Sequence, residues 1–114
     1  MNVGVDVGSL FLKVVVLDER SRPLRSFSQR HAGRAELAFR AAVDGLELDE
    51  QAFFGFTGDG AAGLAGRLGL PVVDTLRATI RGALHGAPGS RNIIDAGGAS
   101  ITLVELDANG ALRS

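Results

Sequence analysis

The chain has 114 residues, a net charge of −1 and no cysteine, a length that holds one domain or less. Lys13 is the only lysine and no Lys/Arg block stands out, which argues against a basic nucleic-acid-binding surface; the missing cysteines exclude disulfides, a thiolate zinc site and iron–sulfur ligands within these residues. No signal pattern opens the chain and no apolar run approaches the ~20 residues that span a bilayer, so the expectation is a cytoplasmic chain without a membrane partner.

Six Phe are the only aromatics, and the core is expected to rest on Val, Leu, Ile and Ala. Sixteen Gly, about twice the usual share, lie between periodic apolar runs and read as tight turns. Residues 2–7 read as a strand with β-branched apolar side chains, Gly8 and Ser9 as a turn, and residues 12–17 as a return strand apolar enough to be buried on both faces. Asp6 ends the first strand and Lys13 begins the second. Such a turn suits phosphate. Gly8 lets the backbone approach an oxygen, successive N–H groups form an anion-binding hollow, Asp6 suits hydrated Mg²⁺, and Lys13 supplies a point charge. An ordinary hairpin with a Gly-Ser turn explains the same residues equally well.

A polar turn at 18–23 leads to a short edge strand at 24–29 and a loop at 30–33. His31 has no metal partner in view, because the only other histidine is His85 and no cysteine exists. Residues 34–44 read as a helix with Leu37, Ala38, Ala41 and Ala42 as a narrow apolar stripe and Gly45 as its stop. Residues 52–57 form a fourth strand, followed at once by Thr57, Gly58, Asp59 and Gly60. A Gly-rich turn between strand and helix is a place where α/β folds bind anions. A tight turn with Asp59 as N-cap explains it without a ligand.

The second helix is expected at 61–68, with Gly69 as C-cap and Pro71 as stop; 71–74 reads as a fifth strand. Residues 75–85 read as a third helix with Leu76, Ile80, Ala83 and Leu84 on one face. Residues 86–90, four of the five Gly, Pro or Ser, mark the clearest boundary, so a lobe at 1–86 and a hairpin unit at 91–114 are expected. In the second part, a strand ends in Asp95, then come Gly97, Gly98 and Ser100, then a return strand at 101–106 and an Asn-Gly turn at 109–110.

Asp-Val-Gly-Ser at 6–9 and Asp-Ala-Gly-Gly-Ala-Ser at 95–100 are thus two copies of one device, able to clamp a polyphosphate from two sides. Here the chain resembles the superfamily of sugar kinases, heat-shock chaperones and actin, residues 4–13 matching its first phosphate motif and 93–100 its second. Within it, Thr57 to Gly60, Leu68 to Val73, Arg81-Gly-Ala83 and Ile94 to Gly98 are most similar to the ATPase activators of 2-hydroxyacyl-CoA dehydratases and the ATPase subunits of benzoyl-CoA reductase.

The resemblance implies an α/β, ribonuclease H-like (actin-like ATPase) N-terminal lobe: a mixed five-stranded sheet in the order 3-2-1-4-5, strand 2 antiparallel, with flanking helices and a C-terminal β-hairpin that begins an incomplete second lobe. It implies ATP and Mg²⁺ as cofactors, with Asp6 and Asp95 as catalytic carboxylates holding Mg²⁺ through water. Gly8, Ser9, Gly97, Gly98 and Ser100 would contact phosphate and Lys13 would neutralise it. In the family, ATP hydrolysis drives a conformational change that sends an electron to a partner enzyme of the CoA dehydratase or reductase type, from an iron–sulfur cluster shared across a homodimer.

Some positions depart from that pattern. Leu10 replaces a hydroxyl residue, Asp59 and Ala61 break a Gly-aromatic-Gly-Arg pattern, Thr75 and Thr79 stand where Glu and His are usual, and Ala99-Ser100 replaces Gln-Asp. With most of the second lobe absent, little ATP turnover is expected of these residues alone. A degenerate, non-catalytic interaction module and a sugar- or acetate-kinase-like lobe are the competing readings.

Overall fold

The computed structural model describes residues 1–49, 51–97 and 100–113. Two units divide the chain, Met1–Val73 and Asp74–Ser114. The third helix therefore groups with the C-terminal hairpin, upstream of the Gly-rich stretch at 86–90.

The first unit is a four-stranded mixed sheet with two helices. Its strands are β1 (Asn2–Val7), β2 (Phe11–Leu17), β3 (Pro23–Arg30) and β4 (Phe53–Thr57), in the order β3-β2-β1-β4. β1 pairs antiparallel with β2 and parallel with β4, so β2 is the antiparallel strand, and β3 lies at an edge. The expected fifth strand is reduced to one parallel bridge, Phe56 with Val72, flanked by bonds from Phe56 N–H to Pro71 O (3.3 Å) and Val73 N–H to Phe56 O (2.7 Å). Pro71 brings no N–H, and Asp74 already caps the next helix, so only two residues remain to pair.

Burial along β1 and β2 alternates, which corrects the expectation of a return strand covered on both faces. Val3, Val5, Val7, Leu12, Val14 and Val16 are buried, whereas Phe11 and Lys13 are exposed. The reason is that α1 (Ala35–Leu46) and α2 (Ala61–Leu68) both pack onto that one set of side chains. On α1 the buried residues are Ala38, Phe39, Ala42 and Leu46, while Leu37 and Ala41 face solvent. The stripe is displaced because Phe39 buries more surface than Leu37, and its i+3 and i+7 neighbours Ala42 and Leu46 follow it. Phe39 packs 5.3 Å from Phe56 and 6.0 Å from Phe54, so aromatic rings sit at the centre of a core otherwise made of Val, Leu and Ala. The helix continues through Gly45 and ends at Glu47, which takes the left-handed conformation (φ 49°).

The second unit holds α3 (Thr75–Gly86) and the hairpin β5 (Asn92–Ala96) and β6 (Ile101–Glu105). Asp74 caps α3 by accepting from the Arg77 N–H at 3.1 Å. Ile93, Val104 and Leu106 pack against Leu76, Ile80, Ala83 and Leu84, the face expected of this helix. After β6, Asp107 accepts from the N–H groups of Asn109 and Ala111, and Gly110 supplies the positive φ of the turn. Among the described residues, no helix is long and apolar enough to cross a membrane.

Candidate functional site

Alternation sets the position of Asp6. With Val5 and Val7 committed to the core, Asp6 must point to the opposite face of the sheet. Its register neighbours are Lys13 on β2 and Thr57 on β4. Opposite charges directly across an antiparallel pair are favourable, and Lys13 is exposed enough to reach a ligand. Asp6, Gly8, Ser9 and Lys13 therefore come together at one end of the β1–β2 hairpin.

The turn is closed by a bond from Gly8 N–H to Phe11 O at 2.9 Å. A Cβ on Gly8 would stand 3.1 Å from that same oxygen, tighter than ordinary contact. Ser9 and Leu10 form the exposed tip. His31 holds the turn from the side: its Nε2 lies 2.7 Å from Gly8 O, and its Nδ1 accepts from Gly33 N–H at 3.1 Å.

The loop after β4 builds the wall of the site. Gly60 N–H donates to Val7 O at 2.9 Å, drawing the loop over the end of β1. Gly58, at φ 101°, lies so close that a Cβ there would meet Val7 O at 2.5 Å and Asp6 Oδ1 at 2.6 Å. Beside it, Thr57 Oγ1 is shielded from solvent and has no hydrogen-bond partner among the described residues, a state that buried hydroxyls rarely keep. Asp59 is not the cap of α2. Gly60 occupies that position with no side-chain cap, and Asp59 is exposed. The turn is set by its backbone bonds to Val7 instead.

In the second unit, Asp95 pairs in register with Thr102, and Gly97 N–H donates to Ser100 O at 2.8 Å to close the hairpin. Asp95, Gly97 and Ser100 are all exposed. Gly98, the remaining residue expected to contact phosphate, lies outside the described residues.

The donor set at the β1–β2 turn matches a hydrated divalent cation on a polyphosphate. It offers one carboxylate at Asp6, one ammonium at Lys13, a hydroxyl at Ser9 and the backbone N–H groups of the turn. No group of three or more His, Cys, Asp or Glu that could hold a metal directly occurs among the described residues.

Motif reading missed two contributors. Gly58 was named within the Thr57–Gly60 turn as a place where anions bind, but not for its contact with Asp6 and Val7. His31 carried the signal of its His-x-Gly spacing, which sets an N–H within reach of Nδ1, but its bond to Gly8 spans 23 residues.

The chain shares its fold with part of several larger solved proteins. Among solved structures it is similar to the activator of the 2-hydroxyisocaproyl-CoA dehydratase from Clostridium difficile with bound ADPNP (24% identity, 99% of this chain and 43% of that one, TM-score 0.75). It is also similar to component A of the (R)-2-hydroxyglutaryl-CoA dehydratase from Acidaminococcus fermentans (22% identity, 99% and 45% coverage, TM-score 0.83). A ROK family glucokinase from Streptomyces griseus, in complex with glucose and AMPPNP, matches more loosely (24% identity, 98% and 46% coverage, TM-score 0.62). The chain thus spans less than half the length of these relatives. No family model and no curated protein sequence matches it.

Proposed function

We propose that the chain is the nucleotide-phosphate-binding lobe of an ATPase similar to the activators of CoA dehydratases and reductases. The observation that carries this reading is the end of β1, where Asp6, Lys13, the Gly8-Ser9 turn and the side-chain-free wall at Gly58 meet on an actin-like ATPase lobe. Asp6 would hold Mg²⁺ through its water shell, with Asp95 as its counterpart. Gly8, Ser9 and Lys13 would take one side of the phosphates, and Gly97, Gly98 and Ser100 the other. The ion would supply charge neutralisation for phosphoryl transfer to water, with backbone dipoles adding to it.

In this reading residues 91–114 begin a second lobe. The intact cytoplasmic protein works as a homodimer and couples ATP hydrolysis to electron delivery to a partner enzyme. Amide shifts of the chain titrated with Mg-ADPNP test the phosphate site. Gly8, Ser9, Lys13 and Gly97 are expected to move together, and Asp6→Asn to abolish the response. Silence at saturating nucleotide refutes phosphate binding by these residues.

One observation favours a second reading, a non-catalytic interaction module. Leu10 is 40% exposed at the tip of the turn and presents an apolar side chain where a hydroxyl would serve phosphate. Retained Asp6, Lys13 and Asp95 weigh against it.

A further inference from the structure

The turn between β1 and β2 contains three peptide units, Gly8–Ser9, Ser9–Leu10 and Leu10–Phe11. His31 engages two of them. Its ring Nε2 reaches Gly8 O at 2.7 Å, and its own backbone N–H donates to Leu10 O at 3.0 Å. The chain contains no cis peptide among the described residues. In a planar trans peptide, C=O and N–H point in opposite directions. Holding the Gly8 carbonyl toward His31 therefore aims the Ser9 N–H away from it. Holding the Leu10 carbonyl likewise fixes the Phe11 N–H.

The partners also decide the state of the ring. Gly33 N–H can only donate, so Nδ1 accepts at 3.1 Å. Gly8 O can only accept, so Nε2 carries the hydrogen. Both bonds are satisfied together only by the neutral Nε2–H tautomer. The His31 backbone is itself anchored, since its carbonyl accepts from Arg34 N–H at 2.7 Å just before α1.

Such a hold matters because Gly8 is the turn's permissive residue. Without the ring, rotation of the Gly8–Ser9 peptide exchanges a donor for a carbonyl oxygen, and an oxygen aimed at phosphate repels it. We infer that His31 is a positioning residue for the phosphate turn: through its Nε2–H it fixes the Gly8–Ser9 peptide so that Ser9 N–H faces the anion. The inference rests on the phosphate reading given above, and it adds a residue from the β3–α1 loop that motif matching leaves out.

The test uses the chain itself. A long-range ¹H–¹⁵N spectrum at about pH 8, above the ordinary histidine range, reads the ring tautomer without nucleotide. Mg-ADPNP affinity is then measured by amide shifts for the wild type, His31→Ala and His31→Gln. The expected result is the Nε2–H tautomer, an affinity about 10-fold or more weaker in His31→Ala, and recovery of most of it in His31→Gln, whose amide can donate to Gly8 O. One charge-assisted hydrogen bond has that value. Amides of β1 and β4 should not move between variants, which separates positioning from loss of structure.

An Nδ1–H tautomer overturns the inference, and so does unchanged affinity in His31→Ala. If His31→Ala does not fold, failure of His31→Gln to bind within a few fold of wild type overturns it instead. A wild type that shows the Nε2–H tautomer yet does not bind Mg-ADPNP overturns the phosphate reading and the role assigned to His31 within it.

Discussion

Gly58 gives the sharpest test of how the site is built. Alanine there places a Cβ 2.5 Å from Val7 O, 2.6 Å from Asp6 Oδ1 and 2.8 Å from Val7 C. Asp6 Oδ1 belongs to a side chain and can move aside. The Val7 carbonyl cannot move cheaply, because it accepts from Gly60 N–H at 2.9 Å and belongs to the central strand. Overpacking of this kind costs about 1–3 kcal/mol. The backbone adds to that. Gly58 sits at φ 101°, where an L side chain is strained by about 1–3 kcal/mol. Together Gly58→Ala should destabilise the first unit by roughly 2–6 kcal/mol, against a total stability of about 5–15 kcal/mol for an ordinary domain.

Urea unfolding followed by far-UV circular dichroism measures the loss, with Gly55→Ala as the control. A Cβ at Gly55 meets nothing within 4 Å and its φ is not positive, so that variant should be neutral or slightly more stable. A loss below about 1 kcal/mol for Gly58→Ala, or one no larger than the control's, refutes the claim that the loop is held against the end of β1. In any fraction that stays folded, the amide of Asp6 should shift, since the carboxylate is the part that yields.

Other consequences follow from the same contacts. Phe56→Ala should cost about 3–5 kcal/mol by urea titration, because the ring is fully buried and packs on Phe39. Asp74→Ala should cost about 0.5–2 kcal/mol and raise hydrogen exchange in the first turn of α3, where the carboxylate caps Arg77 N–H. Gly66→Ala on α2 should stabilise the chain by up to about 1 kcal/mol, since its Cβ meets nothing within 4 Å. The Asp107 carboxyl is held below the usual range, first by the Ala111 N–H and then by that of Asn109, with Arg91 assisting. A depressed carboxylate contributes stability above its unfolded pKa and loses it as pH falls through the folded one. The stability gap between wild type and Asp107→Asn should therefore be present near neutrality and close with acid below the ordinary carboxylate range; a gap independent of pH would refute the assignment.

The strand–turn–strand of residues 2–17 was readable because its signals are local. Alternating Val residues set one face, Gly8 and Ser9 set the turn, and Asp6 follows by parity. The order β3-β2-β1-β4 came with the resemblance to a ribonuclease H-like lobe and not from any local signal. What could not be read from local pattern was which side the helices cover. Residues 12–17 are apolar almost throughout, so they fit a strand buried on two faces or on one. The choice was made by α1 and α2, which both lie on the Val14 side. The same uncertainty displaced the stripe on α1. Leu37 and Ala41 complete an apolar face on paper, but Phe39 finds Phe54 and Phe56 only after β4 has paired with β1. The fifth strand failed for a related reason: β-propensity at Val72 and Val73 is genuine, yet Pro71 and the Asp74 cap leave no length for a ladder.

At the site, the residues found by motif are those that would touch a ligand, and those missed are the ones that hold them. Asp6, Gly8, Ser9 and Lys13 fall within eight positions of one another, so spacing exposes them. Gly58 and His31 act from loops that are remote in sequence, Gly58 on the end of β1 through an excluded side chain and His31 on the adjoining turn through a ring hydrogen bond. Their placement gives the two a different relation to function. Gly58 closes in on the carboxylate and the Val7 carbonyl, so replacing it should cost stability first and binding as a consequence. The hydrogen bonds of His31 run to peptide groups of an exposed turn that β1 and β2 already hold together, and to Gly33 and Arg34 beside it. Replacing it should leave unfolding nearly unchanged while binding falls. A chain in which both substitutions cost stability equally, with no separate loss of affinity at His31, would mean that the turn is simply scaffold and that the shape of the phosphate cradle is set elsewhere.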